Sequence, residues 1–208
     1  MQRHVRACRG KLGGSGDRDA LLVALQDRCL WAYWLVLEAA PSATWEDLDD
    51  FLRRVWVECC GHLSCFRHAG RTIAHDLDEP GGWAWNPGSM RGRIADTLAV
   101  GGRFGYEYDF GTTTELEGRA LDLVPSAARG PAIHVLARND PPVYPCAECG
   151  GRASTLCGLC YQCSGEACWY CEACRTRHRC SDTGGDYFLP IVNSPRVGQC
   201  GYEGPAEE

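Results

Sequence analysis

Lysine is nearly missing from this chain of 208 residues: Lys11 is the single lysine among 21 basic side chains. An arginine bias this complete reads as a preference for G/C-rich codons, not as an arginine-based function. Long apolar runs are missing too. A membrane helix needs about 20 consecutive apolar residues, and the longest run here, Leu30 to Leu37, is strand-sized. The first residues, MQRHVRACRGKLGG, carry charge but no apolar stretch of the kind a secretory signal needs. The expected compartment is therefore the cytoplasm, where thiols stay reduced. Net positive charge is the third absence. The chain stands at −6 overall. Residues 1–18 hold Arg3, Arg6, Arg9, Lys11 and Arg18 against Asp17, a local +4, so the remainder stands at −10. An acidic body argues against broad binding to a phosphate backbone. No G-x-S-x-G, P-loop, dinucleotide fingerprint or H-E-x-x-H occurs.

What is present is a folded chain. It is 45% hydrophobic with seven Trp, enough for a real core and long enough for one medium domain and a smaller one. Residues 1–18 read as a disordered basic tail. Asp19 to Cys29 reads as a short helix, with Leu21, Leu22 and Leu25 on one side, and Leu30 to Glu38 as a buried strand. Thr44 is an N-cap, with Glu46 and Asp47 in the first turn. Leu48, Phe51, Leu52, Val55, Trp56 and Cys59 then recur at helical spacing, and Gly61 ends the helix. His62 to Phe66 and Arg71 to His75 read as strands around the turn at His68-Ala69-Gly70. A Gly/Pro loop over 76–92 holds Trp83 and Trp85, and Arg93 to Val100 is a short helix. In RFGYEYDFG the period-two pattern predicts Phe104, Tyr106, Tyr108 and Phe110 on one strand face, with Glu107 and Asp109 on the other. Thr113 to Val124 and Ala132 to Asn139 complete the strands. Asp140-Pro141-Pro142 and Pro145 mark a boundary. The fold class is α+β: a mixed sheet-and-helix domain over 19–140, then a small Cys-rich module over 146–202 whose last segment packs back, and a disordered tail over 203–208.

Nine of the 15 cysteines fall between Cys146 and Cys180. A CxxC pair offers two thiolates from one tight turn, and two such pairs close a tetrahedron around Zn²⁺. The ligand candidates are Cys146 and Cys149, Cys157 and Cys160, Cys171 and Cys174, then His178 and Cys180. Eight ligands imply two zinc ions. In a crossed arrangement Cys146, Cys149, Cys171 and Cys174 share one zinc, and Cys157, Cys160, His178 and Cys180 the other. The sequential alternative joins the first two pairs, then the last two. Only seven residues separate Cys149 from Cys157. A sequential ribbon usually leaves about 15–20 there, so the crossed arrangement is preferred. Disulfides or free thiols are the bland alternatives. Donor sets made wholly of Cys and His describe closed structural sites, since a catalytic zinc keeps a position open for water. Pro145-Cys146-Ala147-Glu148-Cys149 matches half of a deaminase signature, but the H-x-E half is absent.

Other candidates are weaker. Asp109-Phe110-Gly111 spells a kinase metal motif without the rest of a kinase. Cys59-Cys60-Gly61-His62 suggests a thiol nucleophile beside a base, against the plainer reading of a packed junction at a helix end. His62, His68, His75 and Asp76 suggest a metal site, against ordinary strand residues. The aromatic face at Phe104 to Phe110 suggests base stacking, against a core face. Arg175, Arg177 and Arg179 suggest a small basic patch, against a solvated edge.

Three segments together resemble a known family. They are Leu48 to Arg53 with Val57 to Ser64, Tyr106 to Thr113 (YEYDFGTT), and the cysteine module followed by Leu189 to Arg196 and Cys200-Gly201-Tyr202. Over residues 20–202 the chain resembles the plasmid pRiA4b ORF-3-like family, also described as mobile-element passenger proteins, in its version with a C-terminal zinc-finger extension. The resemblance implies an α+β domain and occurrence on plasmids, insertion elements and prokaryotic chromosomes. It implies the eight candidates and Cys200 as pattern positions, with Cys163 and Cys168 as extras, and makes Cys200 a rival to Cys180. The expected function is a non-enzymatic zinc-binding protein that recognises a protein or nucleic acid, with no membrane and no small-molecule cofactor. The alternative is a metal-dependent enzyme acting on nucleic acid, with acidic residues near Asp109.

Overall fold

The apolar run Ala20 to Leu25 is a strand, β1 (Asp19–Asp27), not the helix its sequence predicts. β1 lies inside a sheet between two neighbours, with Leu21, Leu22, Val23 and Leu25 all buried. A central strand covered on both faces loses the alternation that would mark it, and the helix preference of Ala and Leu is a weak prior that tertiary context overrides. The computed structural model describes residues 19–29, 31–75, 87–126, 130–164, 168–180 and 187–205, leaving aside the side chains of 87 and 162–164. Asp76, Trp83, Trp85, the 1–18 tail and residues 206–208 lie outside the described residues.

The chain falls into two units: Met1–Arg53 with His62–Asn139, and Arg54–Gly61 with Asp140–Glu208. The first unit holds an eight-stranded sheet. Its strands are β1, β2 (Trp34–Ala39), β3 (Ser64–His68), β4 (Arg71–Ala74), β5 (Pro87–Ser89), β6 (Arg103–Tyr108), β7 (Thr114–Pro125) and β8 (Ile133–Arg138). They lie in the order β5-β4-β3-β6-β7-β1-β2-β8, antiparallel throughout except for the β4–β5 pair. With helix α1 (Trp45–Leu52) and the short α2 (Ile94–Thr97), this is an α+β architecture.

Local chemistry sets these elements. Thr44 caps α1 with a capping box: its hydroxyl accepts from the Asp47 N–H at 3.1 Å, and the Asp47 carboxylate accepts from the Thr44 N–H at 2.8 Å. Beyond Leu52 the chain widens into a π turn, Arg53–Val57, where the spacing predicts continued α-helix. β3 and β4 join through Ala69 and Gly70, with φ of 49° and 76°. Two left-handed residues in a two-residue connection match the twist of a hairpin. On β6, Phe104, Tyr106 and Tyr108 are buried. Phe110 lies past the strand end and is 44% exposed, so three aromatics share the face, not four.

That face is the core. The Trp45 ring lies 4.9 Å from Phe66 and 5.2 Å from Phe104, and Phe66 lies 4.9 Å from Tyr106. Phe104 pairs across β6–β7 with Gly118, and its ring occupies the space any Cβ at 118 would need. A second apolar cluster joins Ala20, Leu22, Val36 and Val124 with Trp34, Leu121, Leu136 and Ala137.

The second unit carries a three-stranded sheet in the order β10 (Trp169–Tyr170), β9 (Thr155–Cys157), β11 (Phe188–Pro190). Two short helices accompany it, α3 (Gly158–Ser164) and α4 (Glu172–Arg175). Residues 54–61 belong to this unit, and the buried Ser194 hydroxyl donates to the Trp56 carbonyl.

Candidate metal centres

The eight predicted ligand side chains gather into two groups of four, both in the second unit. Cys146, Cys149, Cys171 and Cys174 form one, and Cys157, Cys160, His178 and Cys180 the other, with donor atoms within 4.8 Å of one another in each group. The pairs are therefore crossed: pair one sits with pair three.

Two tight turns build the first group. The Cys146 N–H donates to the Gly151 carbonyl at 2.7 Å and the Gly150 N–H to the Cys146 carbonyl at 2.9 Å, with Gly150 at φ +71°. Glycine takes that left-handed conformation without a Cβ penalty. Cys171 stands at the N-cap of α4, and Cys174 and Arg175 donate backbone N–H groups to its carbonyl at 3.1 and 2.9 Å. The Ala147 N–H donates to the Trp169 carbonyl at 2.8 Å, which ties the first turn to the strand leading into the second. Cys149 and Cys171 sulfurs are 3.8 Å apart. A zinc with Zn–S bonds of about 2.3 Å sets its sulfurs about 3.8 Å apart.

The second group draws on the end of β9, the first turn of α3 and the chain just past α4. Cys160 Sγ lies 3.4 Å from His178 Nε2 and 3.2 Å from Cys180 Sγ, and Cys157 Sγ lies 3.4 Å from Cys180 Sγ. These separations far exceed a disulfide's S–S bond of about 2.05 Å. The His178 ring packs 4.4 Å from Tyr170 and 5.8 Å from Phe188, which fixes its orientation. Only Arg175, Arg177 and one intervening residue separate Cys174 from His178, so one short segment serves both groups.

Thiols within the first group are pushed in opposite directions. Backbone N–H groups of Cys149, then Cys171, pull the Cys146 thiol down to about 6. In the same group burial and the neighbouring Cys171 thiol push Cys174 up. In the second group burial pushes Cys160 up to about 11, and the Cys160 thiol, then burial, pushes Cys180 up to about 12. Packed thiols resist ionising together, and a dication reverses that balance. Four thiols in one group, and three thiols with an imidazole in the other, are donor sets that suit zinc.

The remaining candidates part ways. Cys168 joins neither group, and the Cys163 side chain lies outside the described residues. Cys200 does not stand in for Cys180: its sulfur is 3.7 Å from Cys60 Sγ, and Cys60 is 3.7 Å from Cys59 Sγ. Cys60 and Cys200 are exposed, so this is no packed core junction. The histidines scatter to separate partners. His68 bonds the Arg103 and Thr97 carbonyls, His75 meets Asp49 at 3.2 Å, and His62 meets Asp109 at 3.5 Å. Asp109, at φ +65°, accepts the Gly111 N–H at 3.0 Å and shapes the turn after β6. Glu107 pairs with Arg67 at 3.1 Å on a cavity of about 770 Å³ lined also by Trp31, Trp34 and Glu115. Arg175 and Arg177 pair with Glu172 and Glu148, at 2.7 and 3.4 Å.

Sequence reasoning passes over Asp49. It is fully buried, and it accepts from Arg53 Nε, Ser64 Oγ and the Tyr106 hydroxyl at 2.7, 2.7 and 2.8 Å. Its place off the apolar stripe of α1 suggests solvent. Arg53, four residues on, is the available signal.

Comparison with known proteins adds little. No protein-family model and no curated protein matches the chain. A solved structure, a protein of unknown function MM3350 from Methanosarcina mazei Go1, is similar at 19% identity and a TM-score of 0.47. The match covers 54% of this chain and 65% of that one.

Proposed function

We propose that this is a non-enzymatic zinc protein, in which two zinc ions at crossed four-donor sites hold the C-terminal unit as a rigid surface for a protein or nucleic acid. The observation that carries this reading is the pair of closed donor groups. Each offers four Cys or His side chains, which leaves no coordination position for a substrate or an activated water. One zinc is held by Cys146, Cys149, Cys171 and Cys174, the other by Cys157, Cys160, His178 and Cys180. Placement in the cytoplasm agrees with reduced cysteines, all described thiols being free of disulfides. We further read the chain as a relative of the plasmid pRiA4b ORF-3-like family, which would associate it with plasmids and mobile elements.

The competing enzymatic reading places a metal-dependent nuclease near Asp109. The local engagement of Glu107 with Arg67, and of Asp109 with its own turn, favours the binding reading. The test is a pull-down with the tagged full chain from its host, with and without nuclease, before and after zinc chelation. A partner that is retained by the zinc-loaded chain and lost on chelation is expected. Capture indifferent to chelation, or a Mg²⁺-dependent nuclease activity abolished by Asp109→Ala, contradicts it.

A further inference from the structure

A third group of thiols lies in the second unit, outside both centres. Cys59 and Cys60 come from the segment after the π turn, and Cys200 from the end of the chain, 140 residues beyond Cys60. The three sulfurs lie within 4.8 Å of one another. Cys59–Cys60 and Cys60–Cys200 are both 3.7 Å, the edge length of a zinc-thiolate tetrahedron of about 3.8 Å.

The backbone aims these thiols. Cys200 sits at φ +48°, between Gly198 at +79° and Gly201 at +67°. A left-handed non-glycine residue is uncommon and costs roughly 1 kcal/mol or more. It persists where the surroundings over-determine it. The Val197 N–H donates to the Ser194 carbonyl at 3.2 Å, the Gln199 N–H to the Arg196 carbonyl at 3.0 Å, and the Tyr202 N–H to the Gln199 carbonyl at 2.9 Å, so Cys200 rides on a wound turn. Arg196, fully buried, donates from Nη2 to Cys59 Sγ at 3.5 Å. An outer N–H donor on a sulfur is what metal-bound thiolates commonly have.

We propose that Cys59, Cys60 and Cys200 hold a third zinc ion through three thiolates. All three belong to the second unit, and the site staples residues 54–61 to the C-terminal segment.

The experiment counts zinc per full chain by native mass spectrometry, for wild type, Cys200→Ser, Cys60→Ser and the control Cys168→Ser. Three zincs are expected in wild type and Cys168→Ser, and two in the other variants. A count of two in wild type, unchanged by Cys200→Ser, overturns the third site while leaving the two crossed centres standing. Thiol alkylation of native wild type gives a reading free of folding defects. Cys60 and Cys200 are solvent-exposed, yet should resist alkylation until a chelator is added. Prompt modification at both with zinc still bound, or a disulfide linking them, overturns the proposal.

Discussion

At the residue scale, Asp49 shows how one buried charge is held. Burial alone would raise its pKa, but Arg53 at 2.7 Å, Ser64 and the Tyr106 hydroxyl outweigh that and hold it below the usual carboxylate range. Burial, with the same contact, lifts the Tyr106 phenol well above 10. A folded pKa below the unfolded value of about 3.9 adds stability above that pH, and the gain is lost as pH falls through the folded pKa. Asp49→Asn removes the buried carboxylate charge that faces Arg53 at 2.7 Å. We expect a loss of about 3–5 kcal/mol at pH 7, and a smaller difference from wild type below about pH 4. Urea unfolding followed by tryptophan fluorescence at both pH values checks this; an equal difference at both would count against the ion pair. The sequence conceals this residue because an aspartate beside Asp50 and off the apolar stripe reads as solvated. Its burial depends on Ser64 and Tyr106, 15 and 57 positions away.

At the element scale, legibility follows periodicity. β6 alternates cleanly because one face is buried under Trp45 and the other is not, so its aromatic register can be read directly. The cap at Thr44 is visible for a similar reason: both halves of the box are local. β1 is not visible, since Leu21, Leu22, Val23 and Leu25 are all buried and leave no alternation to read. Gly118 lies in the same class of long-range fact. Its missing side chain is required by Phe104 on the next strand. Gly118→Ala should cost about 1–3 kcal/mol through forced repacking, and Phe104→Leu in that background should recover part of the loss. Thermal unfolding of the single and double variants tests the coupling; additive losses would show that the two residues do not share the space.

At the scale of the whole molecule, metal ligation at the Cys/His groups would explain how a short, loop-rich C-terminal unit holds together. Its sheet has three strands of two or three residues each, too little for an independent core. Metal binding would then supply folding free energy directly. The eight clustered donors in the module are legible because CxxC spacing is a local signature, and the short gap after Cys149 points to crossing. The grouping of Cys59, Cys60 and Cys200 is not, because nothing in sequence links a helix end to a turn 140 residues later.

The crossed pairing is the central claim, and zinc counting in double variants tests it most directly. Against wild type, Cys146→Ser/Cys171→Ser should lose one zinc, since both residues serve one site, and Cys146→Ser/Cys157→Ser should lose two. The reverse result, two lost in the first variant and one in the second, would mean sequential pairing and contradict the account.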